Sequence, residues 1–267
     1  MNYFFDKWDI LKDRLRDKYL FIFLDFDGTL APIARTPDEA VLPGGIKRML
    51  KELSKKTSCR IAIISGRSLS DLKRKFGGLK GIVYSGNHGL EIEGPKIKFS
   101  PLVSSGYLMA IKTIKNILLG KIRAVKGALL EDKKLSLSLH YRLVDERQVN
   151  TVKTIFHETA IRYLAGGRIR VKEGKKVLEI RPPLEWDKGK VVLWLLSREK
   201  FAKYGREILP VYVGDDLTDE DAFKVLKRIG ITVFVGKPSR RPSGAQYYVK
   251  DTGEVAILLR NILEIQS

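Results

Sequence analysis

The chain has 267 residues, 44% hydrophobic and 30% charged, and no apolar stretch nears the ~20 residues that span a bilayer; one large or two modest globular domains are expected, with no membrane partner. Its 50 Lys and Arg against 31 Asp and Glu give a net charge of +19, yet the basic residues run along the whole length instead of gathering in a patch, which favours a small anionic substrate over nucleic acid. The single cysteine, Cys59, cannot form an internal disulfide and points to a cytoplasmic setting.

Residues 1–18 mix charged and apolar side chains in a way no signal peptide does, and are expected to form a helix packed on the domain. Residues 19–24, Tyr-Leu-Phe-Ile-Phe-Leu, form an uninterrupted apolar run that reads as a strand buried on both faces. Directly behind it stands Asp25-Phe26-Asp27-Gly28-Thr29-Leu30, two carboxylates two residues apart at a strand end. Residues 44–56 place Ile46, Met49, Leu50 and Leu53 at helical spacing, and a second helix follows over 69–76. The runs 60–64 and 81–84 are strands that stop at Ser65-Gly66-Arg67 and at Ser85-Gly86-Asn87-His88-Gly89.

The middle of the chain has another rhythm. A helix over about 105–119 precedes a strand near 128–131 and the strictly alternating 135–140, the pattern of a strand with one wet face. A helix over 145–164, a strand at 168–172, a hairpin containing Gly174 and a strand at 177–181 complete a two-layer α+β unit closed by Pro182-Pro183. Beyond it the first rhythm resumes, with helices over 188–204 and 219–229 and strands over 209–213 and 231–235. Buried strands alternating with helices imply an α/β fold with a doubly wound parallel sheet over residues 1–100 and 185–267, carrying an inserted α+β domain over 101–184.

All the polar strand ends of such a sheet face one crevice. Gathered there, Asp25, Asp27, Asp215 and Asp219 include enough carboxylates to hold one Mg²⁺, a cation that prefers oxygen ligands. Ser65 and Lys188 can bind phosphoryl oxygens. One carboxylate of the Asp25 and Asp27 pair can take a phosphoryl group while the other moves protons; spacing alone does not say which does which.

Asp25-Phe26-Asp27-Gly28-Thr29, Ser65-Gly66-Arg67, Lys188-Gly189 and Gly214-Asp215-Asp216-Leu217-Thr218-Asp219-Glu220 resemble, in order, the four motifs of the haloacid-dehalogenase superfamily. The longer run Asp25 to Ile33, with Pro37, Ala40, Gly86-Asn87-His88-Gly89-Leu90-Glu91 and His140-Tyr141-Arg142, resembles the trehalose-6-phosphate phosphatases over residues 20–260 or so. The resemblance implies a Rossmann-like core with a mobile cap, and Mg²⁺-dependent hydrolysis of trehalose 6-phosphate through an aspartyl-phosphate. It casts Asp25 as nucleophile and Asp27 as general acid and base. It implies a metal held by the Asp25 carboxylate, the Asp27 carbonyl and Asp215, with Asp219 acting directly or through water. Ser65 and Lys188 match the family's phosphate ligands, and Glu131, Lys133 and Glu179 its sugar-hydroxyl ligands.

Other positions stay open at the level of sequence. Gly66 belongs to the phosphate motif, and Arg67 either contacts substrate or holds a neighbouring loop. Asn87 and His88 are candidate substrate contacts or loop-ordering groups, Arg142 a cap contact or a surface pair, and Asp216 an orienting group. A monomer is expected, with a separate trehalose-6-phosphate synthase as a partner that the resemblance allows. The rival readings are a phosphatase for sucrose phosphate or mannosyl-3-phosphoglycerate, and a non-catalytic sugar-phosphate sensor.

Overall fold

The computed structural model describes residues 1–203, 205–238 and 242–266. The chain begins with β1 (Asn2–Tyr3), α1 (Trp8–Leu15), β2 (Tyr19–Leu24), α2 (Gly44–Leu53), β3 (Cys59–Ile64), α3 (Leu69–Lys75), β4 (Ile82–Gly86), β5 (Glu91–Gly94) and β6 (Ile97–Phe99). It continues through α4 (Ser105–Ile122), β7 (Leu129–Asp132), β8 (Leu137–His140), α5 (Glu146–Ala165), β9 (Arg170–Gly174) and β10 (Val177–Arg181). It closes with α6 (Lys188–Ala202), β11 (Ile208–Gly214), α7 (Glu220–Leu226), β12 (Ile231–Val235), β13 (Tyr247–Val249) and α8 (Thr252–Ile265). Two compact units result, Met1–Phe99 with Trp186–Ser267, and Ser100–Glu185.

In the larger unit, nine strands among the described residues form one sheet in the order β1-β13-β12-β11-β2-β3-β4-β5-β6. Pairing is parallel from β1 through β4, and the last two strands join antiparallel. This is the doubly wound sheet expected of the sequence. From β2 the chain winds outward through β3 and β4, and from β11 it winds the other way through β12 and β13, so the winding reverses between β2 and β11. A crevice opens at such a switch point, above the carboxyl ends of the strands.

The continuous apolar run of β2 has a packing reason. Leu20, Ile22 and Leu24 enter a core with α1, α2 and α8, while Tyr19, Phe21 and Phe23 enter a second core with α6 and α7 on the opposite face. A strand covered on both faces has no wet side to alternate toward. The amino terminus departs from expectation, because residues 1–18 do not form one helix. Asn2 and Tyr3 add a strand beside β13, with Asn2 N donating to Gln246 O at 3.1 Å and Phe4 N to Tyr248 O at 2.9 Å. The helix expected over 188–204 ends at Ala202, and Tyr204 lies outside the described residues.

The smaller unit is a four-stranded antiparallel sheet, β7-β8-β10-β9, backed by α4 and α5. Leu137, Leu139, Leu178 and Ile180 point to the helices and pack with Tyr107, Ile114, Val152 and Phe156. The opposite face carries a cross-strand row, Glu131–Ser138–Glu179–Lys172, set by strand register.

Candidate active site

Three backbone segments converge at the switch point. β2 runs directly into Asp25, β11 hands on to Asp215 and Asp216, and the 3₁₀ turn Leu217–Asp219 returns Asp219 to the same place. Asp25, Asp215 and Asp219 are all buried, and a carboxylate oxygen from each lies within 4.8 Å of the others. Lys188, the first residue of α6 and itself buried, donates from Nζ to Asp25 Oδ1 and to Asp219 Oδ1, each at 2.7 Å.

Asp219 is held from four sides. Its Oδ2 accepts from the Asp215 and Asp216 amides at 3.0 and 2.9 Å, and its Oδ1 accepts from the Tyr212 hydroxyl at 2.7 Å as well as from Lys188. Asp216 caps the same turn by accepting from the Thr218 amide and hydroxyl at 2.6 and 2.7 Å. Thus Asp219 and Asp216 fix the backbone of the turn, and Asp25 and Asp215 complete a crowded anionic cluster with them.

The crowding shows in the proton affinities. Burial pushes the Asp25 carboxyl well above the usual range; the Lys188 ammonium pulls it down, and Asp219, Asp215 and Asp216 push it up again. Burial disfavours the charge on Lys188, but Asp219 and Asp25 hold its ammonium well above the ordinary lysine range. Burial likewise opposes ionisation of Asp216, yet Lys188 and the Thr218 donors keep its carboxyl below the usual value. The Tyr212 hydroxyl is held up by burial first and then by Asp219.

This donor set fits a hard divalent cation. All the donors are oxygen, and a single ammonium, Lys188, is shared between Asp25 and Asp219 in the cluster. Gly28, at φ +90, makes the room: a Cβ there would stand 2.4 Å from Asp215 Oδ2. Gly28→Ala is therefore expected to displace the Asp215 carboxylate and cost about 1–3 kcal/mol in backbone strain. The check is a thermal melt with and without divalent cation, in which the variant loses most of the cation-dependent stabilisation.

Beside this cluster, β3 delivers Ser65 and β4 delivers Asn87 and His88. Two backbone bonds stitch the loops together, Asn87 N to Arg67 O at 2.7 Å and His88 N to Ser65 O at 2.9 Å. Asn87 and His88 both adopt left-handed conformations, with φ 49 and 55, and the His88 imidazole lies against Gly66, where a Cβ would meet Nε2 at 2.4 Å. Asn87 Nδ2 donates to Glu91 Oε2 at 2.6 Å, a loop-ordering bond. Arg67 reaches toward Asp27: Nε and Nη2 donate to its two oxygens at 2.8 and 2.7 Å, and Nη1 donates to Asp71 at 2.6 Å. The Asp27 carboxylate thus forms a pair of its own with Arg67, outside the three-carboxylate cluster.

The trehalose-phosphatase family model matches residues 23–253, which include every residue of this cluster and its loops. The chain is 36% identical over 267 residues to probable trehalose-phosphate phosphatase 4 of Oryza sativa subsp. japonica, covering 97% of this chain and 70% of that one. The chain belongs to the trehalose-phosphatase family. Its class is accordingly that of the phosphoric monoester hydrolases. Similarity to trehalose-phosphate phosphatase B of Arabidopsis thaliana is 33% over 270 residues, with 96% of this chain and 70% of that one covered. The fold is shared with the C-terminal domain of Candida albicans trehalose-6-phosphate phosphatase, at a TM-score of 0.81, 24% identity and 96% coverage of both chains.

This member of the trehalose-phosphatase family carries a second polar cluster on the sheet face opposite the helices of its smaller unit, where Lys133, Ser136, Ser138 and Glu179 are buried, so the alternating run does not present the wet face its pattern suggests. Glu179 Oε1 accepts from Lys133 Nζ and Ser136 Oγ, each at 3.3 Å, and from Ser138 Oγ at 3.4 Å, while Arg181 Nε donates to Glu179 Oε2 at 2.6 Å. Glu131 meets the His140 ring at 2.8 Å and lies 3.9 Å from Lys133 Nζ. Glu131, Lys133 and Glu179 are therefore brought together, whereas the exposed Arg142 donates to the Lys175 carbonyl at the β9–β10 turn. Tyr212, Thr29, Asp71, Ser136 and Ser138 also serve these clusters, and sequence reading passes over their roles. Tyr212 hides in an apolar run; only the serines at alternate positions 136 and 138 give a signal, as polar residues on the same face as Glu179.

Proposed function

We propose that the chain hydrolyses trehalose 6-phosphate to trehalose and inorganic phosphate, with Mg²⁺, through an aspartyl-phosphate on Asp25. The observation that carries this reading is the buried Asp25–Lys188–Asp219 bridge beside Asp215, at the switch point of a chain in the trehalose-phosphatase family. Asp25, Asp215 and the Asp27 carbonyl would hold the cation, with Asp219 supporting them. Bound there, the cation offsets the repulsion between carboxylate and phosphate.

The chain's own groups do the rest. Ser65 and Lys188 bind non-bridging phosphoryl oxygens, in a pocket edged by the Gly66, Asn87 and His88 loops. An Asp25 oxygen attacks phosphorus, the bond from phosphorus to the sugar oxygen breaks, and that oxygen leaves with its electron pair and takes a proton from the Asp27 carboxyl. Water then attacks the same phosphorus, losing a proton to the Asp27 carboxylate and releasing phosphate and the free Asp25 carboxylate. Residues 1–100 and 185–267 act as the catalytic core and 101–184 as the unit that selects the sugar. Glu131, Lys133 and Glu179 suit a polyol, since each can hold two or more hydroxyls in fixed orientation.

Phosphate release from trehalose 6-phosphate, compared with sucrose 6-phosphate, glucose 6-phosphate and mannosyl-3-phosphoglycerate, tests the proposal. A kcat/KM for trehalose 6-phosphate at least about 10²-fold above the others is expected, because a site built on hydrogen bonds rejects sugars that leave a buried partner unpaired. Chelation of Mg²⁺ should abolish the activity. Preference for another ester would discard the sugar assignment, and turnover of none with Mg²⁺ would leave a sensor.

A further inference from the structure

The geometry points to Arg67 as the residue that positions Asp27 for proton transfer, an assignment that rests on the function proposed above. A carboxylate on a short side chain turns freely about two bonds unless something fixes its plane. The Arg67 fork does so, with Nε on one Asp27 oxygen at 2.8 Å and Nη2 on the other at 2.7 Å. The fork is itself fixed. Nη1 donates to Asp71 at 2.6 Å, the guanidinium carbon stands 5.1 Å from the Phe26 ring centroid, and the Arg67 amide donates to Ser65 Oγ at 3.2 Å. The Arg67 side chain is 7% exposed, whereas the Asp27 side chain is 39% exposed and open to whatever leaving group approaches.

The same bonds argue against Arg67 as a grip on the substrate phosphate. Three of its N–H groups already face carboxylates, two on Asp27 and one on Asp71, so few of its donors remain for a phosphate. A lysine would not substitute, because an ammonium cannot span both oxygens in a plane.

The test separates proton delivery from phosphate binding. Rapid-quench measurements follow phosphoryl transfer to the enzyme from the alkyl phosphate that the unaltered protein turns over fastest, and from p-nitrophenyl phosphate, whose leaving group departs without a proton. Arg67→Met is expected to slow transfer from the alkyl ester by about 10–100-fold, within the range of general acid catalysis. The p-nitrophenolate burst and the Ki for inorganic phosphate should each change less than threefold. Arg67→Lys, which keeps the charge and guards against a folding defect, should show the same selective loss. Equal slowing with both esters, or a tenfold rise in Ki with alkyl transfer preserved, would overturn the assignment. Because the alkyl ester is chosen by the protein, a wrong sugar leaves this test intact; an unaltered protein that turns over no phosphate ester would sink the proposed function itself.

Discussion

Asp25→Asn is expected to abolish phosphate release, by about 10⁴-fold or more, while leaving the protein as stable as before or slightly more so. The loss follows from chemistry, since an amide oxygen cannot form the acyl-phosphate that water later cleaves. The stability follows from the crowding. Burial and three neighbouring carboxylates already oppose ionisation of Asp25, and only Lys188 favours it. An asparagine oxygen can still accept from Lys188 at the position of Oδ1, and one buried negative charge is gone. Stabilisation of about 0.5–2 kcal/mol in chelator is the usual return when a functional site is relieved of strain. Phosphate release at saturating substrate and melting curves in chelator measure the two halves separately. A phosphoenzyme trapped on the variant would move the nucleophile elsewhere.

The sheet is legible in the sequence because its strands are covered on both faces, which turns each into an apolar run that ends where solvent begins. β2, β3, β4, β11 and β12 all read this way, and their alternation with helices marks the sheet as parallel, whereas their order is seen only in the fold. The sheet's edges leave a weaker pattern. β5 and β6 are a short antiparallel hairpin, and β1 pairs only two residues, so neither has the length or burial that produces a pattern. The acids at the strand ends were legible as a group for the same reason as the strands. Each follows directly on a buried run, and Lys188 opens a helix on a neighbouring connection.

What sequence could not show is how those groups divide their partners. Asp25 and Asp27 look equivalent two residues apart, yet one enters a carboxylate cluster with an ammonium and the other is gripped by a guanidinium 40 positions away. Tyr212 has no mark of function, being one more large residue in a buried strand, until its hydroxyl is seen on Asp219. Such pairings depend on rotamers and on the exact path of a turn, and neither leaves a period in the chain.

Lys188→Met should act in the opposite sense to Asp25→Asn, which makes the pair informative. Methionine fills nearly the same volume, so the change isolates charge. It leaves Asp25, Asp215 and Asp219 buried without the ammonium that bridges two of them. Removing one partner of a buried ion pair typically costs about 3–5 kcal/mol, here a fall in melting temperature of about 10 °C in chelator. Saturating Mg²⁺ should restore much of it, by binding the folded cluster and not the unfolded chain, but not the activity, since the proposed ligand of the phosphate is lost. The double variant carries the argument to its end. If the damage in Lys188→Met comes from uncompensated carboxylates, adding Asp25→Asn removes one of them, and Asp25→Asn then raises the melting temperature of Lys188→Met by more than it raises that of the unaltered protein. The same shift in both backgrounds would instead mean that Lys188 stabilises the core through its packing, and that the cluster tolerates its own charge.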